Sequence, residues 1–386
     1  MAASALPGYK PLCFIDRKLY LYCKGFLYVL SDGCPSKLFR VYPASWKEGT
    51  RVSTRLFRCE PKYAVPLGTN SMLLVGHNQI MLVNPERKES SELARAREGF
   101  SDPLNICPAT GQWSAIWGDY GSNAKHEAVY LYGLHQSGGV ERIFSFAPGQ
   151  VRHIHNIIPK RAGGYYIFTG DQEDTAGIYE ADSEFKRVTP VRTGKQQYRA
   201  VIGFDTDEGL LYATDAVNEQ NAIYFLKRNG QLEQLTLLNG SCIYGTSYHG
   251  RYYFSTTVEP DENEKGILSW ISMKRGKGIL SNEVQLVCLS DDFRAETVAG
   301  YQKDALPMKL MQYGSLQFPH GDSDELWIYA VAVRQWDGTA IRIAENERDC
   351  YEDSSAGERI PLRKGSEFGQ NKSDRVFCAR MGEARA

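Results

Sequence analysis

The stretch "GYYIFTGDQEDTAGIYEAD" (164–182) decides the fold, because it returns as "GLLYATDAVNEQNAIYFLK" (209–227). Each copy has a turn, an apolar strand, a polar loop and a second apolar strand. The strands are rich in Tyr, Ile, Leu and Phe, and Gly, Asp and Asn bound them, which is the strand-and-turn signal. "GRYYFSTTVEPDENEKGILSW" (250–270) follows the same plan, and so does "GQWSAIWGDYGSNAKHEAVYLYG" (111–133). Fainter copies are "KGFLYVLSDG" (24–33), "NSMLLVGHNQIMLVNP" (70–85) and "DELWIYAVAVRQWDGTAIRIA" (324–344).

The residues ending the first strand of each copy are Asp32, His77, Asp119, Asp171, Asp215, Glu259 and Arg334. Their spacings are 45, 42, 52, 44, 44 and 75 residues, and all but the last suit one four-stranded blade. The chain therefore reads as all-β, a seven-bladed β-propeller of 42–52 residues per blade with one longer insert. Radial packing leaves only short sheet edges, which suits a large all-β chain. The propeller is expected over residues 1–345. The charged, Gly/Ser-rich segment 346–386 reads as a tail or cap, and "PLCFID" (11–16) is a candidate strand for closing the last blade. Helical patterning is nearly absent; "ESSELARAREGF" (89–100) is the strongest candidate helix.

Composition narrows the function. With 45 basic and 46 acidic residues, no global field recruits nucleic acid. No apolar run approaches the ~20 residues that span a bilayer, so no membrane span is expected. The first residues lack a basic segment followed by an apolar core, unlike a signal peptide. The nine cysteines, including Cys350 and Cys378, show no zinc spacing and read as reduced thiols of a cytoplasmic protein.

A propeller brings equivalent loops of distant blades to one face. Asp119, Asp171, Asp215 and Glu259 should rim the same mouth. The innermost strands are expected within "LNICPAT", "VRHIHNIIP", "QQYRAVIGF", "SCIYGTSY" and "MQYGSLQFPHG". They carry His153, His155, Asn156, Gln197, Tyr198, Arg199, Tyr244, Gln317 and His320. Convergent polar groups in a concavity are where a site is expected. Residues i and i+2 share a strand face, so His153 and His155 point together. The pair suits a divalent metal with Gln317, His320 or Glu259 as further ligands, proton transfer, or packing against a neighbouring blade. Gln197 and Arg199 share a face in a regular strand, and a guanidinium there suits a carboxylate or sulfate as readily as a structural ion pair. Asn123 and Asn221 occupy similar loop positions and join Asp119, Asp171, Gln197, Asp215 and Glu259 as candidate substrate-binding residues.

The segments "WGDYGSN", "VRHIHNI", "FTGDQEDTAGIYEAD", "QQYRAV" and "YATDAVNEQNAIY" resemble the sialidase-like propellers of the BNR-repeat superfamily. The Asp-box turn of that superfamily is degenerate here, since "YEADSEFKRV" lacks its Gly and Trp. The sialidase arginine triad is missing too, which argues against neuraminidase activity. The His, Tyr and Arg content of the mouth is also similar to that of propeller-type polysaccharide lyases, one group of which pairs an HxH strand with a metal. That resemblance implies an acidic polysaccharide or oligosaccharide as partner, cleaved by β-elimination or hydrolysis. Arg199 would hold the uronate carboxylate, His153 or His155 would take the proton, and Tyr244 would protonate the leaving oxygen. The alternative is a non-catalytic propeller that binds a glycan or protein in polysaccharide biosynthesis.

Overall fold

The computed structural model describes residues 5–290 and 292–343, so the expected tail at 346–386 lies outside the described residues. Seven antiparallel sheets of four strands each form the ring of a seven-bladed propeller. The innermost strands are Lys10–Ile15, Tyr63–Leu67, Ile106–Pro108, His153–Pro159, Ala200–Asp205, Cys242–Tyr248 and Ser315–Gln317. The seventh blade takes its outermost strand from Ala5–Pro7, which pairs with Thr339–Ile343. The ring thus closes with the segment just before "PLCFID", while Lys10–Ile15 is the inner strand of blade one.

Packing explains why the repeat was readable. Every residue of Tyr165–Gly170 is buried. Tyr165 and Ile167 face blade three, where Ile116, Leu131 and Phe146 lie, while Tyr166 and Phe168 face Leu210, Tyr212 and Tyr224 of blade five. A strand covered on both faces is apolar throughout rather than alternating, which gives "YYIF" and "LLYA" their look. Burying a Leu- or Phe-sized side chain contributes about 1.5–3 kcal/mol. The outermost strands keep one face in water, as in Val188–Thr193. In six blades the pairing of third and fourth strands slips by one residue at an equivalent place, for example between Ile178 and Tyr179 and between Ile223 and Tyr224. Such bulges add twist.

Three sequence expectations are corrected. Glu89–Arg95, expected to be helical, is the outer strand of blade two. Its alternation of half-buried and exposed residues meets a neighbouring strand, and that pairing overrides helix propensity. Asp32 follows the third strand of blade one, Phe26–Ser31, so it does not match the acids of later blades; the second strand there is Lys18–Cys23. The segment "QQY" forms a 3-10 turn, Gln196–Tyr198, ahead of the inner strand. A helix, α1 (Arg51–Phe57), links blades one and two, capped by Thr50 and Ser53. A four-residue helix, α2 (Met308–Met311), precedes the inner strand of blade seven.

Closure rests on a three-residue pairing, Ala5 with Ile341, Leu6 with Ala340 and Pro7 with Thr339. Leu6 packs against the cluster of Phe14, Leu21 and Trp327. Leu6→Asp should lower unfolding stability by about 1–3 kcal/mol with an unchanged urea m-value, measured by equilibrium denaturation. An unaltered midpoint would mean that this strand does not hold the ring closed.

Candidate functional site

Antiparallel pairing puts the start of each inner strand beside the end of the second strand. His153 pairs with Gly170, Ala200 with Thr214 and Cys242 with Thr256. Asp171, Asp215 and Glu259 follow those ends, so they share one mouth of the channel with the two histidines.

His153 and His155 meet through a bulge. Ile154 pairs with Thr169 and Asn156 with Phe168, which leaves His155 as the extra residue. The slip recurs in blades one, five and six, at Leu12, Val201 and Ile243. In blade four it carries an imidazole. Bulges re-aim side chains beside functional sites. Gly170 makes room: a Cβ there would stand 2.2 Å from the His155 ring.

The tautomers follow from the backbone. His153 Nδ1 lies 2.5 Å from the Gly121 carbonyl, and His155 Nδ1 lies 2.9 Å from the Ala200 carbonyl. A carbonyl only accepts, so both Nδ1 atoms carry hydrogen and both neutral rings present a bare Nε2. These nitrogens stand 2.9 Å apart. Asp171 Oδ1 lies 3.1 Å from His155 Nε2 and 3.3 Å from His153 Nε2. Three lone-pair donors thus face one point, all within 4.8 Å of one another. Such an arrangement needs a shared proton or a bound cation. Two nitrogens held about 2.1 Å from one ion stand about 3 Å apart at an octahedral right angle and about 3.4 Å apart in a tetrahedron, so the pair matches the octahedral spacing. Histidine ligands also commonly donate their other N–H to a backbone carbonyl, as both do here. The residues present therefore fit a divalent transition metal.

Around this trio the mouth is anionic. Arg199 is buried, and its Nη2 lies 3.2 Å from Asp171, 3.5 Å from Asp215 and 3.5 Å from Glu262. Burial pushes Asp215 well up from the usual carboxylate range despite Arg199. Burial also raises Glu259, against hydrogen bonds from Ser241 and Thr257. For Asp171 burial acts upward too, but Arg199, joined by either imidazole when it carries a proton at Nε2, outweighs it and holds the carboxylate far below its ordinary range. Burial lowers His155, with Asp171 opposing, which favours its neutral form.

Three phenols complete the rim. The Tyr120 ring stands 4.7 Å from that of His153. Burial, reinforced by Asp171, Asp215 and Glu259, pushes its phenol up. Tyr313 is raised by burial, with Tyr244 and Glu259 adding to it. Burial, with Glu259, pushes Tyr244 up to about 12. All three stay protonated at neutral pH and can donate. Arg199 Nε, Asp215 Oδ1 and Gln317 Oε1 are buried without a hydrogen-bond partner among the described residues. Tyr120, Tyr313 and Glu262 were not singled out from sequence, although all three sit inside quoted segments.

Other sequence candidates are placed elsewhere. Asp119 turns away to bond Arg97 Nε at 2.8 Å, the Tyr130 amide and the Tyr132 hydroxyl. Asn123 accepts from the Glu127 amide and donates to the Arg152 carbonyl. Asn221 is fully buried, fixing its own loop through Ala216 and Thr214. Both act as turn fasteners. Gln197 offers only its carbonyl, to the Tyr212 hydroxyl, and it is Gln196 that donates to the Asp171 carbonyl at 2.9 Å. Gln317 does not join the histidines; its amide donates to the Tyr244 hydroxyl at 3.3 Å. His320 lines a cavity of about 700 Å³ among the later residues of the inner strands, toward the other mouth. Burial pushes its imidazole down to about 4. The ligand set expected from sequence is therefore corrected: Asp171 takes the place given to Gln317 and His320.

No protein-family model matches the chain, and no curated protein matches it. The oligogalacturonate lyase of Vibrio parahaemolyticus superposes with a TM-score of 0.52 at 10% identity, covering 89% of this chain and 92% of that one. The AfRom2 CNH domain gives 0.51 at 8% identity, covering 89% and 96%. At such identities the likeness shows the propeller fold and carries no sialidase assignment. Neighbours with different labels on one fold also mean that function must be argued from the site.

The geometry makes a direct prediction about tautomers. Long-range 1H–15N spectra should show His153 and His155 both protonated at Nδ1, and Gly170→Ala should abolish the His155 signature while leaving far-ultraviolet dichroism unchanged. An Nε2-protonated His155 in the parent protein would refute the arrangement.

Proposed function

We propose that the chain is a carbohydrate-active propeller that takes an acidic sugar at this mouth, with His153, His155 and Asp171 holding a divalent cation. The observation that carries the reading is the pair of Nε2 lone pairs, 2.9 Å apart and backed by Asp171. Electrostatics support it. Arg199, which the lyase resemblance implied would hold the uronate carboxylate, is surrounded by Asp171, Asp215 and Glu262. An anionic sugar would meet a net negative mouth and be repelled. A divalent ion on the trio would reverse the local sign and polarise the sugar carboxylate. The fold shared with an oligogalacturonate lyase is compatible with this substrate class and does not by itself assign it.

The chain's own residues would then divide the work. The protonated phenols of Tyr120, Tyr244 and Tyr313 would donate hydrogen bonds to the sugar. Tyr244 is the candidate proton donor to a leaving oxygen, supported on one side by Gln317. Asp215 and Glu259, raised by burial, would hold or accept a proton near the reacting sugar. Arg199 would position Asp171 rather than touch substrate.

A second reading keeps the site metal-free, with the bare Nε2 of His155 as proton acceptor. The lowering of its pKa by burial favours this, because it keeps the ring neutral.

The expected outcome is that manganese or zinc binds the purified protein with one-site stoichiometry by titration calorimetry. His153→Ala and Asp171→Asn should each weaken binding by tenfold or more. Incubation with a panel of uronate-containing oligosaccharides should give ultraviolet-absorbing unsaturated product, suppressed by chelator. Product formed equally well in chelator would favour His155 as the base. Glycan binding without product would leave a binding propeller. Neither binding nor product across the panel would reject the acidic-sugar reading.

A further inference from the structure

Twelve large apolar side chains stand exposed among the described residues, and eleven lie on three loops: four on 46–57, six on 267–280, and Leu306. Only Leu237 lies elsewhere. The first loop holds a 3-10 turn, Trp46–Glu48, and α1. The second is the long insert between the second and third strands of blade six, with a turn at Ile267–Trp270. The third precedes α2. All three connections leave the sheets at the face that bears His153, His155 and Asp171.

The loops form one surface. Arg58 Nη2 donates to the Lys309 carbonyl at 3.0 Å, and Lys309 Nζ donates to the Glu264 carbonyl at 2.7 Å. Arg55 Nε reaches the Met311 carbonyl at 2.7 Å. Trp46 packs edge-on against Phe57, with ring centroids 5.4 Å apart. The tips protrude: Ile267 is 85% exposed, Trp46 75% and Leu268 73%. These apolar tips stand among exposed charge that is mostly basic. Stretch 46–58 contains Lys47, Arg51, Arg55 and Arg58 against a single acid, Glu48, which is buried and accepts from the Tyr22 hydroxyl. The insert contains Lys265, Lys274, Arg275 and Lys277 after four acids, Glu259, Asp261, Glu262 and Glu264, of which Asp261 pairs with Lys274 and Glu262 with Arg199. Of these, Lys47, Arg58, Lys265, Lys274 and Lys277 are exposed, against Glu262 alone among the acids. The near-neutral sum over the whole chain conceals this local bias.

We propose that this face docks on an anionic lipid bilayer surface. Ile267, Leu268, Trp270 and Trp46 would enter the boundary between headgroups and acyl chains, with the lysines and Arg58 at the level of the phosphates. Tryptophan favours that boundary, and basic residues beside an anionic leaflet add attraction that salt screens. A second copy of the chain fits less well, because a two-fold contact through this patch would bring like-charged rims together. No helix among the described residues is long and apolar enough to cross a membrane, so the contact is peripheral. The inference does not depend on the sugar reading, since none of the side chains it uses touches the histidine site.

The test is co-sedimentation of the full chain with phosphatidylcholine vesicles, with and without phosphatidylserine, at low and raised salt. Binding is expected only to phosphatidylserine vesicles, weakened by salt, with a blue shift of tryptophan emission. A variant combining Ile267→Ser, Leu268→Ser and Trp270→Ser should bind at least about tenfold more weakly, and so should one combining Lys265→Glu and Lys277→Glu. These residues are exposed, so both variants should melt like the parent. Absence of binding to phosphatidylserine vesicles at low salt would overturn the proposal. So would undiminished binding of the triple variant. Vesicle-free self-association of the parent that the triple variant abolishes would assign the patch to a second copy instead.

Discussion

Mutual coverage of the sheets is the constraint on which the rest of the molecule depends. Each interior blade buries both faces against its two neighbours, so no blade is complete alone. The ring must close for its first and last sheets to be covered, and the strand at Ala5–Pro7 supplies the final edge. Inner strands also tie blades together directly. Asn105 donates to the His155 carbonyl and Asn156 to the Val201 carbonyl, joining blades three, four and five around the channel. The histidine site is therefore held by three blades at once. Its acceptor carbonyls, Gly121 and Ala200, belong to the blades on either side.

This anchoring gives the site its chemical character. A lone imidazole pair on a strand could rotate to place its protons wherever they cost least. Here two neighbouring blades claim both Nδ1 hydrogens, and the lone pairs are left facing each other and a carboxylate. The surrounding acids intensify the demand for positive charge, and burial answers part of it by raising Asp215 and Glu259. Arg199 answers another part, which is why it is spent inside the protein rather than offered to a ligand. The mouth thus presents two imidazole lone pairs and several carboxyl groups, while its guanidinium is already paired.

The same face also carries the longest departures from the repeat. The insert in blade six and the linker bearing α1 add little to the β-ring, yet they hold ten of the twelve exposed large apolar side chains among the described residues. Elaborating one face while the opposite face keeps short turns is how a symmetric scaffold acquires a direction.

Sequence alone determined the number of blades and which later strand ends share a mouth with the two histidines. Strands buried on both faces must be apolar and must recur at one period, and acids that end equivalent strands must share a face. Blade one was misread because "KLYLYCKGFLYVL" offers two apolar strands in succession, and nothing local says which is the second. The outer strand Glu89–Arg95 was misread because its helix-forming residues are overruled by a partner strand that only the fold supplies. Tertiary structure alone decided which acids turn inward. Asp119 and Asp171 occupy like positions, yet one meets Arg97 and the other meets two imidazoles, according to side chains from distant parts of the chain. It also placed the bulge at His155 and enclosed Arg199. These outcomes depend on shifts of a single residue and on contacts between blades, whereas periodicity reports only how deeply each strand is buried.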